Sequence, residues 1–240
     1  MIILSKRLKA IADMVTPCAS AIDVGCDHGF LSIYLVENDI AGRVYATDIN
    51  SGPLERAQEH INEHNLGKCI ETIQCDGLMG LKNCNKTVDA IVIAGMGGRM
   101  ISKILSDSPD IASSATQLVF GPQSELEQFR YSLMELGYRI VSETMIEEEG
   151  KFYPIIKATS GKMELDRVHA MYGPCLLEDK NPVLKDFLTR EREYKLDILW
   201  NLTGNKSAEL SEEISERAGN RVREIKEKLA LNDKALGIVG

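Results

Sequence analysis

Ala21-Ile22-Asp23-Val24-Gly25-Cys26-Asp27-His28-Gly29 is the stretch on which the fold of this chain turns. An apolar run with a single acid, then two glycines four positions apart, describes a short buried strand that turns sharply into a helix over residues 30–37. A dinucleotide fingerprint needs G-x-G-x-x-G at such a turn. Counted from Gly25, the second glycine position holds Asp27 and the third holds Phe30, so two of three glycines are missing.

Working outward, residues 3–15 place Leu4, Leu8, Ile11 and Val15 at helical spacing, with Ser5 as cap and Pro17 as stop. Downstream, residues 43–48 read as a strand ending in Asp48, and Pro53 opens a helix reaching about residue 64. Residues 69–75 form a third strand before Asp76-Gly77. Residues 88–93 form a fourth, running into Ala94-Gly95-Met96-Gly97-Gly98. A helix over 99–105, a strand over 117–120 and a helix over 124–136 follow, the last ended by Gly137. Two final strands, 138–146 and 152–158, flank Glu147-Glu148-Glu149-Gly150, which reads as a solvated tip. Strand–helix alternation predicts a mostly parallel sheet covered on both faces, with the last two strands as an antiparallel edge hairpin. Ligands of such sheets bind at the carboxyl ends of the strands, where Gly25, Asp48, Asp76 and Gly95 stand.

After about residue 160 the pattern changes. Leu184, Phe187, Leu188, Tyr194, Ile198, Leu199 and Leu202 recur at helical spacing, residues 203–207 read as a turn, and Leu210, Ile214, Ala218, Val222, Ile225 and Leu229 mark a second helix over 208–231. Together they predict a coiled-coil-like helical hairpin. The expected division is therefore 1–160 and 161–240.

Composition narrows the partners. The 240 residues carry a formal net charge of −8, which argues against a generally basic nucleic-acid coat but not against local basic patches. Residues 161–240 hold 14 basic against 15 acidic side chains, so the acidity lies in the first two thirds. No apolar run approaches the roughly 20 residues of a membrane span, and the first fifteen residues lack a signal-peptide core, which predicts a cytoplasmic protein without a membrane partner. The six cysteines form no C-x-x-C pair, so a metal centre is not expected.

The first loop resembles the D-x-G-x-G-x-G turn of class I S-adenosylmethionine methyltransferases: Asp23, Gly25 and Gly29 match, and Asp27 departs. The departure has a physical logic. S-Adenosylmethionine has no pyrophosphate to cradle but carries a sulfonium and an ammonium, which an acid attracts and a phosphate-binding loop does not. Asp48, 23 residues after Gly25, stands where an acid bonds ribose hydroxyls, and Asp76 is placed to accept from an adenine amino group.

Over essentially its whole length the chain resembles the bacterial tRNA adenine-22 N1-methyltransferases, the TrmK family. The residues that carry the likeness are Leu4-Ser5-Lys6-Arg7-Leu8 with Ile11-Ala12, the loop from Asp23 to Gly29, Asp76-Gly77-Leu78, Ile93 to Gly98, Gly150-Lys151-Phe152-Tyr153, and the helical hairpin. One departure is Phe120-Gly121-Pro122-Gln123, where the family reads Leu-Gln-Pro; either Gln123 replaces that glutamine in touching substrate, or the contact is absent. The resemblance implies a Rossmann-like domain that transfers a methyl group from S-adenosylmethionine to adenine N1 in the D-arm region of tRNA. It leaves a monomer or weak homodimer open.

On that reading the cofactor contacts come from Arg7, from Asp23, Gly25, Cys26, Asp27, His28 and Gly29, from Asp48 and Ile49, from Asp76 and Gly77, and from Ala94, Gly95, Met96 and Gly97. Asp27, His28 and Met96 take positioning roles at the reacting centre. Substrate contacts fall to Arg130, Lys151 and Tyr153 and to Arg221 and Arg223, each of which also reads as a surface charge or surface aromatic. His60, His64 and His169 read as solvent-facing. Two alternatives remain: a small-molecule methyltransferase, and a non-catalytic module that binds S-adenosylmethionine or RNA.

Overall fold

A computed structural model describes residues 2–83, 86–204 and 212–240, which form two compact units, Met1–Leu165 and Asp166–Gly240. In the first unit α1 (Lys6–Met14) precedes β1 (Cys18–Val24), α2 (Phe30–Glu37), β2 (Ala41–Asp48), α3 (Ser51–Glu63) and β3 (Ile70–Gln74). Then come α4 (Met79–Asn83), β4 (Ala90–Ala94), α5 (Gly98–Asp107), α6 (Pro109–Ser114), β5 (Gln117–Gly121), α7 (Leu126–Glu135), β6 (Tyr138–Glu148) and β7 (Lys151–Ser160).

The seven strands run in the order β3-β2-β1-β4-β5-β7-β6. The first five are parallel, while β7 is antiparallel to both β5 and β6. Strand alternation builds a core on each face. Ile91 and Ile93 of β4 pack with Ile101, Ile104 and Leu105 of α5 and Phe129 and Leu133 of α7. Ala90 and Val92 pack with Ile11 of α1, Ile33 and Leu35 of α2, and Ile61 of α3. Each fully buried aliphatic side chain contributes about 1.5–3 kcal/mol. Phe120 and Phe129 meet edge to face at 5.2 Å, tying β5 to α7.

The N-terminal cap is as the sequence predicts: the Ser5 hydroxyl accepts from the Leu8 amide. Helix α3 starts earlier than predicted, at Ser51, so Pro53 is its third residue. The tip between the last strands is tighter than the run of acids suggests. Glu147 and Glu148 are still paired in β6, opposite Phe152 and Lys151. Only Glu149 and Gly150 turn, with φ of 52° and 76°, as a two-residue hairpin turn requires.

The second unit comprises α8 (Arg167–Tyr172), α9 (Pro174–Glu178), α10 (Pro182–Gly204) and α11 (Glu212–Val239). Asp166 caps α8 by accepting from the His169 amide at 2.9 Å, which holds its carboxyl well below the usual range. Helices α10 and α11 bury Leu184, Leu188, Ile225 and Leu229, and Asn232 donates to the Leu188 carbonyl at 3.0 Å. The predicted turn over 203–207 differs: Thr203 and Gly204 continue α10, and residues 205–207 lie outside the described residues, as does Leu210. Tyr194, assigned by spacing to the packed stripe, is 67% exposed, because the stripe runs through Leu184, Leu188 and the largely buried Lys195 instead.

Candidate active site

The carboxyl ends of β1, β2 and β4 open into a cavity of about 350 Å³. The loop after β1 shapes its floor. Gly25, Asp27 and Gly29 have φ of 74°, 49° and 72°, three left-handed residues within five. Glycine adopts this conformation without strain, and aspartate tolerates it better than most other residues. A Cβ on Gly25 would stand 2.4 Å from Met96 Cε, so the absent side chain lets the two loops close on each other.

Acids dominate the lining. Asp23, Asp27 and Asp48 all face the cavity, with Arg7 as its one lining Lys or Arg among the described residues. Asp23 is buried and accepts from the Ser32 hydroxyl at 2.7 Å. Burial pushes its carboxyl up to about 6, with Asp48 adding to the rise and the Ser32 bonds opposing it. Asp27 is exposed and lies 3.6 Å from Arg56 and 3.7 Å from His28. Burial also raises the Cys26 thiol, so it lines the cavity as a neutral group.

A second, largely apolar slot of about 300 Å³ has Val24, Ile49, Met100 and Ile104 among its walls, with Asp76 and Gly77 also lining it. Gly25, Asp48 and Met96 line both spaces, so the slot and the acidic cavity adjoin. An apolar slot for a flat ring, an acid at the junction and further acids beyond suit a ligand with a purine, a ribose and a cationic tail. The same acids would repel a pyrophosphate.

Most predicted contacts meet here. Arg7, Asp23, Gly25, Cys26, Asp27, His28, Asp48, Ala94, Gly95 and Met96 line the cavity, and Ile49, Asp76 and Gly77 line the slot. Gly29 and Gly97 line neither; they serve as helix N-caps where a Cβ would press on Ala57 or on the Ser124 hydroxyl. His28 stacks on Phe30 at 5.4 Å and 15°. Leu8, Phe30, Leu31 and Gln123 line the cavity as well, outside the predicted contacts. The sequence signals Gln123 through the departure at Phe120-Gly121-Pro122-Gln123, and Phe30 through its place after the glycine loop.

Other expectations are corrected. Arg130, placed among substrate contacts, is fully buried on α7 and pairs with Glu143 of β6 at 2.9 Å, so it cannot meet a ligand from solvent. His60 is not simply solvent-facing: its Nδ1–H donates to the His28 carbonyl at 2.9 Å. His64 pairs with Glu37 at 2.7 Å, and His169 with Asp166 at 2.8 Å. Tyr153 lies under the Arg7 guanidinium at 5.5 Å, at the cavity's edge, while Lys151 is exposed at the hairpin turn and lines neither space. Arg221 and Arg223 are exposed on α11, with Arg221 bonded to Glu224. Among the described residues no group of three or more His, Cys, Asp or Glu is placed to hold a metal, and no helix is long and apolar enough to cross a membrane.

Residues 4–156 match the family described as a methyltransferase domain. The chain is 30% identical over 230 residues to the tRNA (adenine(22)-N(1))-methyltransferase of Bacillus subtilis, covering 93% of this chain and 96% of that protein. A solved structure of a candidate tRNA (m1A22) methyltransferase from Streptococcus pneumoniae is 31% identical with a TM-score of 0.81, covering 95% of this chain and 100% of that one. The same protein in complex with S-adenosyl-L-methionine gives a TM-score of 0.85 at 28% identity, over 98% and 100% of the two chains.

Proposed function

We propose, from the premise that the chain belongs to the tRNA (adenine(22)-N(1))-methyltransferase family, that it methylates N1 of adenine 22 in tRNA with S-adenosylmethionine as donor. The observation that carries the reading is the apolar slot and acidic cavity joined at Gly25, Asp48 and Met96. Bound S-adenosylmethionine supplies a sulfonium methyl; the N1 lone pair takes it as the carbon–sulfur bond breaks, leaving a thioether and a cationic adenine.

The chain's own residues supply position. Ile49, Met100 and Ile104 hold the cofactor's purine, and Asp76 accepts from its amino group. Asp48 accepts from the ribose, and Asp23 and Asp27 face the cationic tail. Adenine N1 already carries its lone pair, so no general base is needed, and holding the two reactants in line is the main task. Met96 and His28 shape the space in which they meet. The target base must be unpaired to expose N1, and Tyr153 with its Arg7 partner offers a surface at the cavity's edge.

The second unit, 166–240, holds the tRNA through the exposed Arg221, Arg223 and Lys226 of α11. Lys151 contributes at the hairpin turn. The enzyme works on cytoplasmic tRNA as a monomer or weak homodimer.

The test is transfer of label from S-adenosylmethionine to a tRNA transcript with adenine at position 22 and to the same transcript with guanine there. Nucleoside mass then identifies the product. Label as 1-methyladenosine on the adenine transcript alone supports the reading. Equal label on both, or none while the cofactor still binds, turns it toward another nucleotide or a small-molecule acceptor.

A further inference from the structure

We infer that the Gln123 carboxamide reads the N6 and N7 edge of the target adenine and thereby sets the base specificity of this site; the inference rests on the adenine-N1 reading above. Three observations place Gln123. Its backbone amide donates to the Met96 carbonyl at 2.9 Å, which locks the β5–α7 loop to the glycine loop after β4. Its side chain lines the acidic cavity. A Cβ on Gly95 would lie 3.8 Å from Gln123 Nε2 and 3.7 Å from Arg7 Nη1, so both head groups approach the space that this glycine leaves open. Gly95 has φ of 77° and is exposed, so that space faces solvent, from which a substrate would enter.

The reaction dictates which edge a residue there can read. N1 must present its lone pair to the methyl group, so a hydrogen bond to the Watson–Crick edge would compete with catalysis. The N6–H and N7 pair is the edge left over, one donor beside one acceptor. A carboxamide matches it with its own acceptor and donor, a bidentate pairing worth about five- to hundredfold in discrimination. Guanine presents two acceptors, O6 and N7, on the same edge, so the Gln123 carbonyl would face O6 without a hydrogen. Once the base covers the carboxamide, a polar mismatch of that kind rejects the wrong ligand more strongly than lost packing does. Neither Lys nor Arg offers an acceptor, so Arg7 beside it cannot make this distinction. Gln123 itself is exposed, so replacing it removes no core packing.

The experiment compares tRNA carrying adenine or 7-deazaadenine at position 22, with the wild-type chain and with Gln123→Met, which keeps length and removes both hydrogen-bonding groups. Wild type should lose about tenfold or more in kcat/KM on the 7-deaza substrate, because one bond of the pair is gone. Gln123→Met should lose at least as much on adenine and little further on 7-deazaadenine, with S-adenosylmethionine affinity, read by calorimetry, unchanged. Equal wild-type rates on the two substrates overturn the inference. So does a Gln123→Met loss that repeats in full on 7-deazaadenine, or that shows up as weaker cofactor binding. Absence of methylation on the adenine-22 tRNA itself overturns the proposed function instead, and this inference with it.

Discussion

Two places in the first unit bury a charged group, and they differ in what faces it. Where α7 packs on β6, the fully buried Arg130 meets Glu143 at 2.9 Å. At the end of β1, the equally buried Asp23 has the Ser32 hydroxyl and no ion-pair partner among the described residues. The physical chemistry of the two is opposite. A matched pair recovers in Coulomb attraction much of what desolvation removes. A lone carboxylate does not, and its proton affinity rises until it is half neutral at about pH 6. The contrast separates structure from function: the complete pair is a fixture, whereas the incomplete one is suited to a cation from outside.

The sharpest way to break the comparison is at the complete pair. Arg130→Met removes the ion pair of the buried Glu143 and should lower stability to urea by about 3–5 kcal/mol. Adding Glu143→Leu should recover most of it; no recovery would mean that packing, not pairing, holds α7. At the incomplete site the sign reverses. A carboxyl raised from 3.8 to about 6 weakens the fold progressively as pH rises between those values, and the loss is complete above 6. Asp23→Asn should therefore raise the stability of the cofactor-free chain at pH 8 by up to about 3 kcal/mol while weakening cofactor binding. A destabilised variant with normal cofactor affinity would erase the contrast.

A smaller effect follows in the wild-type chain. If Asp23 must ionise to face a cationic tail, affinity for S-adenosylmethionine should rise about tenfold from pH 5 to pH 7 and stay flat in Asp23→Asn. Calorimetry across that range reads it, and a flat wild-type profile would remove Asp23 from the cofactor's contacts. The smallest effect belongs to charges that are not buried at all. Arg223→Glu on α11 should weaken tRNA binding a few-fold and lower the salt slope by about 1, leaving cofactor affinity alone. An unchanged slope would mean that this face does not touch phosphate.

Much of this was legible in the sequence, for reasons that are local. Strands β1, β2 and β4 are short apolar runs that end in or run into an acid or a glycine, and α1 shows its spacing and its Ser5 cap within a few residues. The short helices α4, α6, α8 and α9, of five or six residues each, were not legible. One and a half turns are too few for a period to show. Arg130 misled because what buries it is Glu143, thirteen residues away on another element, and no local pattern announces such a partner. The acids of the cavity could be picked out singly, because each ends or follows a strand. The joining of slot and cavity through Asp48 needs the sheet order, which the alternation implies only in outline. Gln123 shows the same limit from the other side. Its chemistry was visible, but not its approach to Gly95.

One contact made early in the chain waits on a residue made late. The first turn of α1 is pinned by Glu148, whose carboxylate accepts from the Lys6 amide at 2.6 Å, and α1 packs on β5, β6 and β7. Arg7, on that helix, is part of the cavity wall. During synthesis, then, α1 emerges before the hairpin that anchors its first turn, and that part of its packing waits until β6 and β7 have followed. The wall it carries is fixed after the glycine loops are in place, although Arg7 precedes them in the chain.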